Sequence, residues 1–430
     1  MASVTGSATE PRPSDGAEPG AEAPGFVPIR CVTWAVEDAA DEAIAPNAGG
    51  RLFVLATVDG WPSAMVDARA DSADGVAESA RRCVADQAVR PPSGFNAGSA
   101  AQTAVTVVVC TLGREPRLVE TVAALLGQTH TDLEILVVDN DPDSGGVSSL
   151  LAESDDPRLR IVAEPRRGLS AARNTGLAEA GHPVIAFTDD DALPALDWIA
   201  TVAAVFDADP GVDCVTGLVL PAEVATRTQL FFEEAGGFAK GLRAVHWRRG
   251  GGGTELGTEA GPKGIAFPFD GGFGSGNNMA FRVATLRDLG GFDEALGAGS
   301  PTRGGEDLDA FQAVYLAGGT VVYWPAALVR HHHRADHDAL VEQMQGYGVG
   351  MAAVVTKRFL SSPATAAGVL RRLPGGLRLL LDSRSAKNRG KSAAFPAEAT
   401  RAERRGYLAG PGAYLRARRR VRRRSAVADR

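Results

Sequence analysis

The sequence predicts an α/β protein with a doubly wound, mostly parallel, Rossmann-like sheet. A small α+β module should precede the sheet, and a helical, basic extension should follow it. Three observations carry this expectation. From residue 104 onward, short apolar runs alternate with stretches of helical periodicity. The runs are continuously apolar, as a parallel strand covered on both faces requires. They also end in polar residues (Thr111, Asp139 and the Asp189–Asp191 cluster), at the edge where open α/β sheets bind ligands.

The elements follow in order. "AVTVVVCT" (104–111) reads as a strand and "RLVETVAALLGQ" (117–128) as a helix; "LEILVVDN" (133–140) and "RLRIVAEP" (158–165) read as strands. "GLSAARNTGLAEA" (168–180) is the next helix and "PVIAFTDDD" (183–191) the next strand. A helix over "DWIATVAAVFDADP", a strand over "DCVTGLVL" and a later strand over "GTVVYWP" complete the domain. Before it, "RLFVLATVDGWPSAMVDARA" reads as two strands around a turn, and "DGVAESARRCVADQ" as a helix. The expected units are a disordered 1–26, a separate module at 27–92, a linker over 91–103, a main domain at 104–350 and a helical extension at 351–430. The main domain divides into halves at 104–220 and 221–350.

Composition sets bounds. At 430 residues, 44% hydrophobic and 23% charged, the chain is ordinary for a globular protein. A net charge of −7 gives no global reason to expect nucleic acid as a partner. The four cysteines form no CxxC pair, so they read as reduced thiols without zinc. No apolar run approaches the ~18–20 residues of a spanning helix. Residues 1–25 lack the basic start and apolar core of a signal peptide. The expected location is the cytoplasm.

"TDDDALP" (188–194) carries the chemistry. One Asp in such a turn needs only a capping role. Three in a row repel one another unless a cation or polar ligand compensates, and a divalent ion shared with phosphate oxygens is the natural partner. "VRHHHR" (329–334) adds imidazoles, by itself a weak metal signal. "GGEDLDA" (304–310) sets acids at a helix start, which favours negative charge in any case. The run "GGGG" (250–253) lacks the Lys-Ser/Thr of a phosphate loop and reads as a mobile lid. Asn277 and Asn278 in "GFGSGNN" read equally as ligand contacts and as loop-fixing amides.

Taken together, "VTVVVCT…LLGQTHTDLEILVVDNDPDS…GLSAARNTGL…VIAFTDDDALP", then "FGSGNNMAFR", "LGGFDEALGAG", "GGEDLDA" and "VRHHHR", resemble glycosyltransferase family 2, whose fold is the GT-A type. The resemblance covers residues 104–350. It implies an enzyme that moves one sugar from a nucleotide-diphosphate sugar to an acceptor hydroxyl, with Mn²⁺ or Mg²⁺ as cofactor. On the family pattern Asp189 and Asp191 form the D-x-D pair. Asp191 would ligate the ion, and Asp189 or Asp190 would face ribose or a metal-bound water. Asp139 would bind the donor base, Thr111 the nucleotide, and Arg167 and Arg173 the phosphates, with Arg166 close by.

The same resemblance makes Asp307 the general base, with Glu306 beside it, and gives His331 to the metal, with His333 second. A side-chain base opposite the leaving group implies inversion. The acceptor is expected to be a saccharide, a lipid-linked sugar or a small molecule, in cell-envelope or polysaccharide biosynthesis. The Q-x-x-R-W pattern of processive members is missing, so single-sugar transfer is expected. The rival reading is a non-catalytic sugar-nucleotide-binding or scaffold protein. The tail "RARRRVRRRS" has seven Arg within 416–424. It reads as a solvated, disordered charge run or as a peripheral contact with anionic membrane.

Overall fold

The computed structural model describes residues 26–46, 50–87, 89–92, 101–248, 259–260, 271–385 and 387–428. Residues 1–25, the 93–100 part of the expected linker and the "GGGG" run lie outside them.

The centre is a ten-stranded mixed sheet. One half holds four parallel strands in the order Leu159–Ala163, Leu133–Asp139, Val105–Thr111, Val184–Asp189. Their apolar residues serve both faces. Val105, Val107 and Val109 pack with Leu118, Val122 and Leu125 of the helix Leu118–Leu126. Val108 points the other way, to Ala172 and Leu177 of the helix Leu169–Glu179. Gly176 lets that helix come close, since a Cβ there would meet Val108 Cγ1 at 2.6 Å. The register pairs Thr111 with Asp139 and Cys110 with Asp189, so the polar strand ends share one edge.

The second half begins with an antiparallel strand absent from the sequence reading, Met279–Arg282. It lies between Val184–Asp189 and Val212–Pro221. Val212–Pro221 then pairs in parallel with Thr320–His331. The expected strand ended at Pro325; the observed one continues to His331 through an irregularity between Trp324 and Leu328, a place where Pro is tolerated.

The N-terminal module has three strands, Ile29–Ala35, Arg51–Val58 and Trp61–Arg69, and the helix Ala73–Gln87. It is not separate. Leu55, Trp61 and Val89 belong to the core of the main sheet, and Trp61 meets Trp324 edge-on at 5.1 Å between ring centres. Ile29–Ala35 also pairs with Glu223–Val224. Burying an indole is worth a few kcal/mol, which is enough to bind the module to the sheet.

At the other end, the helix His337–Ser361 crosses the boundary expected at 350. The helices Pro363–Leu381 and Ala397–Ala428 follow. A Cβ at Gly348 would lie 2.1 Å from the Glu403 carbonyl, so the first and last of these helices touch backbone to backbone. The expected disordered charge run is corrected here: residues 416–424 continue the last helix, anchored by buried Tyr414 and Ala417. Among the described residues no helix is long and apolar enough to cross a membrane.

Candidate active site

Asp189 ends its strand, and the chain turns at once into a three-residue strand, Ala192–Pro194. That strand pairs with the end of Thr320–His331, His331 opposite Ala192. The His332 N–H also donates to the Asp191 carbonyl (3.0 Å). This pairing carries the imidazole of His331 to the acids. Its Nε2 is 3.0 Å from Asp191 Oδ1 and 3.7 Å from Asp189 Oδ2. One ligand atom from each of Asp189, Asp191 and His331 lies within 4.8 Å of the others. His332 instead faces Glu223 (3.3 Å) and His333 faces Glu233 (2.8 Å).

The charges adjust to one another. Burial would lower the His331 pKa, yet its bonds to Asp189 and Asp191 push it up to about 10. Burial would likewise raise Asp191, but the bond to His331 holds it below the usual carboxylate range. A positive imidazole there offsets the charge of the two carboxylates. Asp190 turns away from the trio and accepts from the Thr111 hydroxyl. Burial pushes its carboxyl up to about 7; the Thr111 bond opposes this, and Asp191 and Asp189 add to it.

Arg173 reaches the same edge from the helix Leu169–Glu179. Its Nη1 is 2.8 Å from Glu306 Oε1, and its Nη2 is 3.7 Å from Asp189. The Nη2 donates to the Gly276 carbonyl at 3.2 Å. Burial pushes the Glu306 carboxyl up to about 7, against the pull of Arg173. Asp307, half-buried, lies next along the helix Glu306–Ala317, after Gly305 at φ 91°. A Cβ on Gly305 would come within 2.9 Å of the Gly350 carbonyl, so the turn requires glycine. Asp307 Oδ2 accepts from the Gly276 N–H (2.9 Å) and Oδ1 from the Leu308 N–H (2.7 Å).

Asp139 and Arg167 sit apart from the trio. Asp139 is buried and accepts from the Asp141 N–H (2.9 Å), fixing its own turn. Arg167 pairs with Asp141, which also holds Arg114 at 3.0 Å. Arg166 is tied to Glu164 (2.7 Å). Of the two asparagines, Asn278 fixes structure: it accepts from Trp198 Nε1 and donates to Leu218 and Ala327. Asn277 differs. Both polar atoms of its side chain are buried without a hydrogen-bond partner, one strand away from Asp189. The sequence reading had no role for Gly276, whose N–H and carbonyl hold Asp307 and Arg173. Its only signal was the spaced glycines of "GFGSGNN".

Residues 106–250 match the family model described as Glycosyl transferase family 2. This region belongs to that family. The chain is 29% identical over 258 residues to a glucosyl-dolichyl phosphate glucuronosyltransferase of Haloferax volcanii, covering 56% of this chain and 75% of that one. It is 29% identical over 304 residues to a pre-mycofactocin glycosyltransferase of Mycobacterium tuberculosis, covering 68% of this chain and 56% of that one. Among solved structures, the mannosyltransferase PcManGT from Pyrobaculum calidifontis, in complex with GDP-Man and Mn²⁺, aligns over 80% of this chain and 83% of its own. The TM-score is 0.45 and the identity 22%. The matched region and the relatives are glycosyltransferases, and in this chain the sheet brings Asp189, Asp191 and His331 together at its carboxyl edge.

Proposed function

We propose that the protein transfers one sugar from a nucleotide-diphosphate sugar to an acceptor hydroxyl, with inversion, in a metal-dependent reaction. The observation that supports this best is the grouping of Asp189, Asp191 and His331 at the carboxyl edge of the sheet. Two carboxylates and one imidazole suit Mn²⁺ or Mg²⁺, the mixed set favouring Mn²⁺. The protonation of His331 in the metal-free state fits the same view, since a positive charge there relieves the repulsion among the acids. When bound, the ion would neutralise charge developing on the departing diphosphate.

The chain's own residues do the rest. Asp189 and Asp191 orient the diphosphate, and Thr111, Asp139 and Asp190 line the nucleotide side. Arg173 places a fixed positive charge against Asp189, and Glu306 holds Arg173 in that position. We therefore assign Glu306 to positioning and Asp307 to the reaction. Arg167, bound to Asp141, shapes the neighbouring loop. Asp307, fixed by the Gly276 N–H, takes the acceptor proton. The acceptor oxygen bonds to the anomeric carbon as the carbon–phosphate oxygen bond breaks on the opposite face, and the nucleoside diphosphate leaves. The acceptor's class, whether saccharide, lipid-linked or small molecule, follows from residues on the 221–350 side.

The test is Asp307→Asn with a radiolabelled donor panel. It should keep donor binding and lose turnover. Unchanged turnover would refute the role of Asp307, and loss of binding together with turnover would move Asp307 to the donor site.

A further inference from the structure

We propose that the outward faces of the last two helices, Pro363–Leu381 and Ala397–Ala428, dock on an anionic lipid bilayer. The first observation is where apolar surface is left uncovered. Of the fourteen exposed large hydrophobic residues among those described, eight lie from Tyr347 onward. Three of them, Leu370, Leu377 and Leu381, are 56%, 46% and 44% exposed. Their spacing of seven and four places them on one stripe of the helix Pro363–Leu381. Val369, Gly376 and Leu380 are buried on another face. Arg371 and Arg378 each follow a stripe leucine, about 100° further round.

The helix Ala397–Ala428 repeats the design. Leu408 (85% exposed) and Leu415 (42%) share its solvent face with Arg401, Arg405, Arg416, Arg419 and Arg423, all exposed. Counted at 100° per residue, these seven positions span about a quarter of the circumference. The opposite side, with Ala399, Ala402, Ala413, Tyr414 and Ala417, is buried. The end of the first helix meets the last one, where Arg404, one turn before Leu408, donates to the Leu381 carbonyl at 3.1 Å.

Charge identifies the occupant. Residues 363–424 hold seventeen Lys or Arg against three Asp or Glu, in a chain whose net charge is −7. None of the three acids neutralises the arginine stripe of the last helix. Glu403 is buried and bound to Lys387, Glu398 faces His337, and Asp382 reaches Arg378 at 3.7 Å. Leucines flanked by arginines on an outward helical face match an interface-lying helix on an acidic bilayer. The face lies one helix away from the base: Gly350 of His337–Ser361 touches Gly305, just before Glu306 and Asp307. Docking requires neither donor nor metal, so it stands or falls apart from the transfer reaction.

The test is sedimentation of the full chain with phosphatidylcholine vesicles, with and without phosphatidylglycerol. Binding is expected with phosphatidylglycerol only and should weaken in high salt. Each arginine near such a surface contributes about fivefold. Arg405→Gln/Arg416→Gln/Arg419→Gln/Arg423→Gln should therefore lose at least about a hundredfold in vesicle affinity. Leu370→Ser/Leu377→Ser/Leu408→Ser/Leu415→Ser, which leaves every charge in place, should also lose most binding while its circular dichroism stays native. Equal binding to both vesicle types, binding to neither, or full retention by either folded variant would overturn the proposal.

Discussion

Replacing Arg173 by Met should destabilise the chain in a pH-dependent way, and the buried pair sets the size of the effect. Arg173 is 3% exposed and Glu306 5%, with 2.8 Å between them. Removing one member of such a pair costs about 3–5 kcal/mol, because the other charge is left buried alone. Glu306 can escape by taking up a proton. Its carboxyl already stands at about 7 rather than 4.5, mainly because of burial. That gap is worth about 3 kcal/mol in favour of the protonated form.

A carboxyl whose folded pKa lies above its unfolded value contributes most to stability below the unfolded value, and the contribution falls as pH rises toward the folded one. Without Arg173 the folded value rises further, so the loss extends to higher pH. We expect Arg173→Met to cost about 1–2 kcal/mol at pH 5.5 and about 3–5 at pH 8, relative to wild type. Arg173→Met/Glu306→Gln removes the titrating group, so its loss relative to Glu306→Gln alone should not vary over that range. Urea unfolding followed by tryptophan fluorescence measures both. Equal losses at the two pH values, or a pH slope that survives in the double variant, would refute this reasoning.

Other consequences concern the site and its supports. Asp307→Asn should lower kcat by about 10²–10⁴-fold with donor Kd unchanged, as radiolabelled transfer assays would show. His331, held at about 10 by Asp189 and Asp191, must shed a proton to ligate an ion. Mn²⁺ affinity should therefore climb steadily between about pH 6 and 9, and calorimetry in buffers of different ionisation heat should record proton release; a flat profile without release contradicts it. Gly348→Val would drive a side chain into the Glu403 carbonyl, costing about 1–3 kcal/mol and loosening the last helix, which limited proteolysis would detect. Trp61→Ala should cost about 3–5 kcal/mol and lower the single thermal transition of the whole chain; separate melting of residues 27–92 would show that the module is independent after all.

The legible parts of the sequence were those with a short period. The βα steps from Val105 to Asp189 announce themselves because each strand is a continuous apolar run and each helix repeats at its own spacing. The strand-end residues Thr111, Asp139 and Asp189 followed directly from that reading. What stayed hidden was non-local or too brief to show a period. Ala192–Pro194 has three residues and Met279–Arg282 four, yet the first brings His331 to Asp191 and the second closes the sheet. His331 was singled out only through the resemblance; the triplet itself does not show which histidine faces the acids, because that depends on how Thr320–His331 meets the short strand. The packing role of Trp61 was hidden because its partner Trp324 lies far along the chain. The arginine tail read as solvated because the alanines and glycines that bury its other side carry little hydrophobic signal.

The central claim is a metal-dependent nucleotide site built on Asp191. Calorimetric titration of UDP, GDP and dTDP, each with Mn²⁺ and with chelator, tests it on wild type and on Asp191→Ala. The account predicts that one nucleotide binds wild type tightly with Mn²⁺, and that chelation or loss of Asp191 abolishes this. Binding indifferent to both, or no binding to folded protein, would contradict it.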